Sequence, residues 1–467
     1  MTSTTSTGAG PMYRAVNPAT GAVVETFKTF KDDAIENAVA AADQAYGSWK
    51  DVPIEQRAET VKRIAVLFTE RAGELAAIAA EEMGKPLSEG KGEAEFCADI
   101  FTYFATEGPS LAADQPIRTF SGGTAVVQKL PIGPLLGIMP WNFPFYQVAR
   151  FAAPNLMLGN TILLKHAESV PRSALAIQQI MDDAGLPAGA YVNVFASHEQ
   201  IEHIIADPRV QGVSLTGSER AGAIVASIAG KNLKKCVLEL GGSDPYVVLD
   251  SEDLDKSVGT AWDTRMYNTG QACNSNKRMI VMDEIFDGFV AGLTQRARGL
   301  RPGNPLHEDE GTFAPMSSRA AAESLAAQVA DAVSKGATLH AGGELGEAPA
   351  AYYSPTVLTG VTKEMRAFRE ELFGPVAVVY SVSSDEEALA LANDTAYGLG
   401  GAVFSTDVER ARRLAERLEV GMSNVNSPAG EGAEVPFGGV KRSGFGRELG
   451  PLGMDEFVNK RMFFIAD

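Results

Sequence analysis

Apolar residues fall at helical spacing in KDDAIENAVAAADQAYG, and Ala-rich periodicity of the same kind runs through residues 54–83. The first of these stretches begins with acidic residues, which complement the positive end of a helix. The opening of the chain therefore reads as helical. Residues 116–132, PIRTFSGGTAVVQKLPI, alternate around a Gly-Gly pair and predict a β-hairpin. Beyond it, β-branched runs in GNTILLKHA, YVNVFA, GVSLTG and KKCVLEL predict strands. SALAIQQIMDDAG, EQIEHIIADP and ERAGAIVASIAG lie between them and predict helices. The alternation restarts with the helix LDKSVGTAWDTRMYNTG, the strand NKRMIVM and the helix EIFDGFVAGLTQRARGL. It continues through ESLAAQVADAVSKGA, ATLHAGG, PTVLTGV, VAVVYSV and DEEALALANDTAYGL. Strands alternating with helices of this length imply parallel sheets covered on both faces. The expected fold class is α/β, with two such units and no internal repeat at a fixed short period.

Length agrees, since 467 residues exceed what one hydrophobic core supports. Net charge is −18, which argues against nucleic-acid and anionic-membrane partners, because both need a basic patch. The three cysteines, Cys97, Cys236 and Cys273, are an odd number in a long chain, so a disulfide framework is not expected. The histidines are scattered, without metal-ligand spacing, and no metal is expected. The start, MTSTTSTGAGPMYR, lacks a basic region followed by an apolar one and reads as a flexible lead-in over residues 1–12. PLLGIMPWNFPF is the nearest approach to a membrane span, and its prolines break it. The expected location is cytoplasmic.

Candidate chemistry lies mainly at strand ends. In TGSERAG, Gly217 and Ser218 feed a helix whose N-terminal amides form a ready anion site. The middle glycine of a GxGxxG fingerprint is missing, and an ordinary strand-to-helix turn reads equally well. LLKHAE places Lys165 and Glu168 at the C-terminal edge of a strand, where α/β sheets bind ligands. There they suit a cofactor ribose or form a solvated strand end, and His166 reads as structural. Glu239 ends the apolar strand KKCVLEL, either as a paired structural carboxylate or as a desolvated group whose raised pKa suits a general base. Cys236 and Cys97 read as core. Cys273 differs, because YNTGQACNSNK sets it among small and polar neighbours. A thiolate favoured by a helix N-terminus or by backbone amides would make it a nucleophile. In IMPWNFPF, Asn142 offers a donor to an oxyanion, on a loop stiffened by Pro140 and Pro144.

In this order, MPWNFP, LLKHAE, LTGSERAG, LELGGSDP, NTGQAC, EELFGP and PFGGVKRSGFGRE resemble the aldehyde dehydrogenase superfamily over essentially the whole chain after its start. LLKHA, KKCVLELGGSDP and AFREELFGPVA are most similar to its bacterial succinate-semialdehyde branch. The resemblance implies that Cys273 forms a thiohemiacetal and then a thioester. It makes the Asn142 side chain and the Cys273 N–H the oxyanion hole, and Glu239 the base for the hydrolytic water. It places Trp141 and Ser218 near the cofactor pyrophosphate, Lys165 and Glu168 near the adenosine ribose, Glu371 at the nicotinamide ribose and Phe373 beside the ring. It further implies a dinucleotide-binding unit over 1–115 and 134–241 and a catalytic unit over 242–443. Residues 116–133 and 444–467 become a small β oligomerisation element, giving a homodimer or homotetramer.

A semialdehyde carries a carboxylate that wants a cationic partner. Arg150 lies eight residues after Asn142, a little over two helical turns. Arginine at the corresponding place is one of the carboxylate anchors in the resembling enzymes; the other reading of Arg150 is a pair with a structural carboxylate, and Arg265 is a second candidate. Glu168 favours the free ribose hydroxyls of NAD over the 2′-phosphate of NADP, so the cofactor expectation is NAD or NADP, leaning to NAD. Asn274-Ser275-Asn276, and Glu431 and Glu434 in NSPAGEGAEVPFGG, depart from the branch and bear on substrate choice. The alternatives are oxidation of a longer or neutral aldehyde, a catalytically silent relative, and a cofactor-free thiol hydrolase. The last lacks a convincing Cys–His pair.

Overall fold

A computed structural model describes residues 13–120, 122–430 and 432–467; the lead-in over 1–12 and Glu431 lie outside the described residues. The first sheet contains β1 (Pro134–Met139), β2 (Thr161–His166), β3 (Tyr191–Asn193), β4 (Gly212–Thr216) and β5 (Lys235–Glu239). They lie in the order β3-β2-β1-β4-β5, all parallel. This is the doubly wound dinucleotide-binding order. Strand side chains alternate between faces, so each strand feeds two cores. Leu136, Leu163 and Leu238 pack with Ile35, Val39, Ile204 and Val225 from the helices on one face. Leu135, Ile162, Leu164 and Val237 share the other core with Ile64, Phe101, Phe151 and Ile177.

The second sheet contains β6 (Pro245–Val248), β7 (Arg278–Met282), β8 (Thr338–Ala341), β9 (Thr356–Thr359), β10 (Val376–Val382), β11 (Gly400–Phe404) and β12 (Met422–Val425). Its order is β8-β9-β10-β7-β6-β11-β12, parallel except for the β8–β9 pair. Val247, Ile280 and Val378 face one core, and Val248, Val281 and Val379 the other. The sequence pattern does not reveal β6, β11 or β12. β6 follows closely on the Gly-Gly pair after β5, β11 opens with two glycines, and β12 carries Ser423 and Asn424 at its centre, so none stands out as a β-branched run.

The hairpin appears as Gln115–Ile117 and Thr124–Pro131, joined through Gly122 and Gly123 at φ +87° and +77°. Val458–Ile465 pairs antiparallel with its longer strand. Gly444–Phe445, expected with that element, instead pairs antiparallel with β5 and joins the first sheet. No helix among the described residues is long and apolar enough to cross a membrane.

Candidate active site

In the first sheet the chain leaves β1 towards β2 on one side, while β4 lies on the other. The crevice outside the C-terminal ends of β1 and β4 is therefore the topological switch point, where such sheets bind ligands. β1 delivers Trp141 and Asn142 there, and β4 delivers Gly217 and Ser218. The Gly217 N–H donates to the Glu239 carbonyl at 2.9 Å. Ser218 caps the helix Glu219–Lys231, accepting from the Ala221 N–H at 3.3 Å. A Cβ on Gly222 would lie 2.7 Å from Leu240, so only glycine lets this helix approach the sheet so closely.

Lys165 is buried, with its Nζ 2.6 Å from Glu168 Oε1. Burial pushes the Glu168 carboxyl up, but Lys165 outweighs this and holds it below the usual range. The neighbouring His166 accepts from the Ala167 N–H at Nδ1, so its proton is on Nε2, which donates to the Pro144 carbonyl at 2.8 Å. It is structural, and burial pushes its pKa down to about 4.

The turn that leads to Cys273 follows the helix Leu254–Met266, with Asn268 and Thr269 at φ +51° and +55°. Asn268 Nδ2 donates to the Asn142 carbonyl at 2.8 Å, and Asn142 Nδ2 donates to the Gln271 carbonyl at 3.1 Å. Each loop is thus fastened to the other, and Asn142 retains a second amide hydrogen. The helix Leu87–Leu111 braces both. Glu89 accepts from the Asn268 N–H at 2.7 Å, and Glu93 accepts from the N–H groups of Phe145 and Tyr146 at 2.8 and 3.0 Å. Four residues apart, these carboxylates share one helix face. The sequence offered little signal for them, because the same helix also carries Glu95, Asp99 and Glu107.

Cys273 is half-buried. Burial pushes its thiol up to about 11, opposed by Arg150 and Lys277 and assisted by Glu371 and Asp244. Nearby cations, rather than a helix N-terminus, favour its thiolate. Glu239 is 2% exposed, and neither carboxyl oxygen has a hydrogen-bond partner among the described residues. Burial, reinforced by Glu448, holds its pKa well above the ordinary carboxyl value. A Cβ on Gly438 would lie 2.6 Å from Glu239 Oε1, so glycine there leaves room for the carboxyl. Glu371 Oε1 accepts from the Gly242 N–H at 3.1 Å, and Phe373 meets Trp141 edge-on with ring centroids 5.7 Å apart. The crevice, the first-turn amides beyond Ser218 and the buried Lys165 fit a nicotinamide dinucleotide.

The aldehyde dehydrogenase family profile matches residues 5–463. The chain belongs to the aldehyde dehydrogenase family. It is 53% identical to a succinate-semialdehyde dehydrogenase [NADP(+)] of Deinococcus radiodurans, over 99% of this chain and 97% of that enzyme. It is 41% identical to a succinate-semialdehyde dehydrogenase [NADP(+)] 1 of Mycobacterium tuberculosis, over 97% of this chain and 99% of the relative. The solved succinic semialdehyde dehydrogenase of Streptococcus pyogenes in complex with NADP+ superposes with a TM-score of 0.94 at 40% identity, covering 97% of this chain and all of that one.

Two residues expected to meet the substrate are deeply buried in this aldehyde dehydrogenase. Arg150 already has a carboxylate partner within the chain. Its side chain is fully buried, ion-paired with Glu448, donating to Thr216 Oγ1 at 3.2 Å and lying 4.4 Å from the Phe437 ring centre. Glu448 also accepts from Ser214 Oγ at 3.1 Å. The sequence shows that helical spacing returns Arg150 towards Asn142, but not that Glu448, some 300 residues later, waits inside. Arg265 has its five N–H groups engaged by the carbonyls of Val376, Gly270, Leu372 and Gly374 and by Ser275 Oγ. It braces the turn that carries Cys273. Ser275 and Asn276 belong to the same brace, Asn276 Nδ2 donating to the Ala261 carbonyl at 2.9 Å, and Glu434 is solvent-exposed.

Arg150→Met is therefore expected to leave Glu448 buried and unpaired, at a cost of about 3–5 kcal/mol. The melting temperature should fall, and turnover of acid-ended and neutral aldehydes should decline together. A selective rise in KM for the acid-ended substrate would return Arg150 to substrate binding.

Proposed function

We propose that this aldehyde dehydrogenase oxidises succinate semialdehyde to succinate with NADP+ or NAD+. The observation that carries the hydrolytic outcome is Glu239, a buried carboxyl with both oxygens unpartnered. Once deprotonated, such a group is a strong base towards water. The Cys273 thiolate adds to the aldehyde carbon, and the oxyanion takes hydrogen bonds from the free Asn142 amide hydrogen and the Cys273 N–H. Collapse of the thiohemiacetal with loss of hydride leaves a thioester on Cys273. Glu239 removes a proton from water, the water oxygen adds to the thioester, and expulsion of the thiolate releases the acid. Trp141, Gly217 and Ser218 hold the pyrophosphate, Lys165 and Glu168 the adenosine ribose, and Glu371 and Phe373 the nicotinamide riboside. When bound, the dinucleotide supplies the hydride acceptor.

The names of the relatives support the semialdehyde. The burial of Arg150 and Arg265 favours, as a second reading, an aldehyde without a carboxylate. A panel of succinate semialdehyde, longer semialdehydes and butyraldehyde, followed by reduced-nicotinamide absorbance, separates the two. Preference for butyraldehyde in kcat/KM would overturn the first reading.

The relatives are named for NADP(+), which replaces the lean to NAD. A 2′-phosphate competes with Glu168 for Lys165, and the Glu168 side chain is exposed enough to yield. Glu168→Ser frees the ammonium for a charge-assisted bond, and the NADP+/NAD+ ratio of kcat/KM should rise by about tenfold or more. An unchanged ratio removes Glu168 from cofactor choice.

We assign residues 1–115 and 134–241 to the dinucleotide unit and 242–443 to the catalytic unit. The hairpin and the C-terminal strand form the contact between copies of the chain. Val458–Ile465 supports this, being an outer strand that exposes Met462, Phe463, Phe464 and Ile465. A monomer by light scattering would remove that role.

A further inference from the structure

Lys277 lies four residues past the nucleophile, and its side chain is 1% exposed. Its ammonium reaches the Ala272 carbonyl at 2.8 Å, the Cys273 carbonyl at 2.7 Å and Glu371 Oε1 at 3.1 Å. Three contacts use its three hydrogens. Glu371 Oε1 is also the acceptor for Gly242, and a Cβ on Gly242 would lie 2.5 Å from the Cys273 carbonyl oxygen. Nζ is 5.9 Å from the Phe373 ring centre. The ammonium thus sits where the turn after β5, the nucleophile turn and the Glu371–Phe373 segment meet. Burying a charge is costly, and an apolar residue would fill the space without that cost. The position calls for a cation.

We propose that Lys277 positions the nucleophile turn and Glu371 against each other, and that its charge favours the Cys273 thiolate. The proposal rests on the reading of Cys273 as nucleophile and deepens it. The charged groups facing the thiol are Arg150 and Lys277, which favour the thiolate, and Glu371 and Asp244, which oppose it; the Tyr146 phenol also faces it. Arg150 is balanced by its ion pair with Glu448. Lys277 is paired with Glu371, itself beside the thiol, so the two should act on it with opposite signs.

The test uses full-length enzyme carrying Cys97→Ala and Cys236→Ala, so that Cys273 is the thiol that reacts. The rate of iodoacetamide alkylation is followed against pH without aldehyde or dinucleotide, because alkylation reads the thiolate. Lys277→Met should raise the midpoint by about one pH unit, slowing alkylation about tenfold at mildly alkaline pH. Glu371→Gln should lower the midpoint and speed alkylation. Lys277→Arg should recover most of the loss, because it restores the charge. A merely loosened turn would move the Met and Gln variants in the same direction, so shifts of the same sign overturn the proposal, as does an unmoved midpoint in folded Lys277→Met. Should Lys277→Met fail to fold, Lys277→Gln, which keeps amide hydrogens for the two carbonyls, replaces it with the same expected sign. Wild-type turnover on the aldehyde panel judges the dehydrogenase reading separately.

Discussion

Cys273→Ala is expected to remove dehydrogenase turnover by about 10⁴-fold or more, the scale seen when the nucleophile of a covalent mechanism is deleted. Folding and dinucleotide affinity should be preserved. Cys273 is half-buried at the edge of the first core, and losing one sulfur leaves the interlock of Asn142, Asn268 and Gln271 intact. Cys97→Ala and Cys236→Ala provide the contrast. Cys97 is in the first core, and burial pushes its thiol well up; Cys236, on β5, is pushed to about 12 for the same reason. Neither thiol is poised to react. Turnover in both variants should stay near that of the wild type. Near-normal oxidation by Cys273→Ala would end the covalent mechanism.

Glu239→Gln should separate the two halves of the reaction. The amide keeps the shape and cannot take a proton, so thioester hydrolysis should slow by about 10²–10⁴-fold while hydride transfer persists. Rapid mixing should give a burst of reduced nicotinamide near one equivalent per site, followed by a stalled steady state. The pH dependence carries a sign. Burial raises the Glu239 carboxyl well above the ordinary carboxyl value, and the base works only when deprotonated. Wild-type hydrolysis should therefore fall as pH drops through that raised value, above the usual carboxylate range. The Gln variant should lack that limb. Loss of the burst itself would place Glu239 at an earlier step.

Pattern and motif order in the sequence determined the fold class and the alternation of strands and helices, and pointed to Cys273, Glu239 and Asn142 as the candidate trio. Periodicity is local, and motif residues must sit at strand ends and turns to meet, so both leave a trace within a few residues. β2 is legible for this reason, with Ile162, Leu163 and Leu164 at its centre and every residue buried. Tertiary structure decided what depends on partners far along the chain. The sequence places Arg150 and Arg265 on helices but not their partners, because Glu448 and the carbonyls of residues 372–376 reach them only after folding. Glu89 and Glu93 look like an exposed helical face and instead hold the loops that carry Cys273 and Asn142. The charge balance around Cys273 was likewise set by Lys277, Glu371, Asp244 and Arg150 together. A buried charge is stabilised or penalised by whatever surrounds it in space, and that neighbourhood exists only in the folded chain.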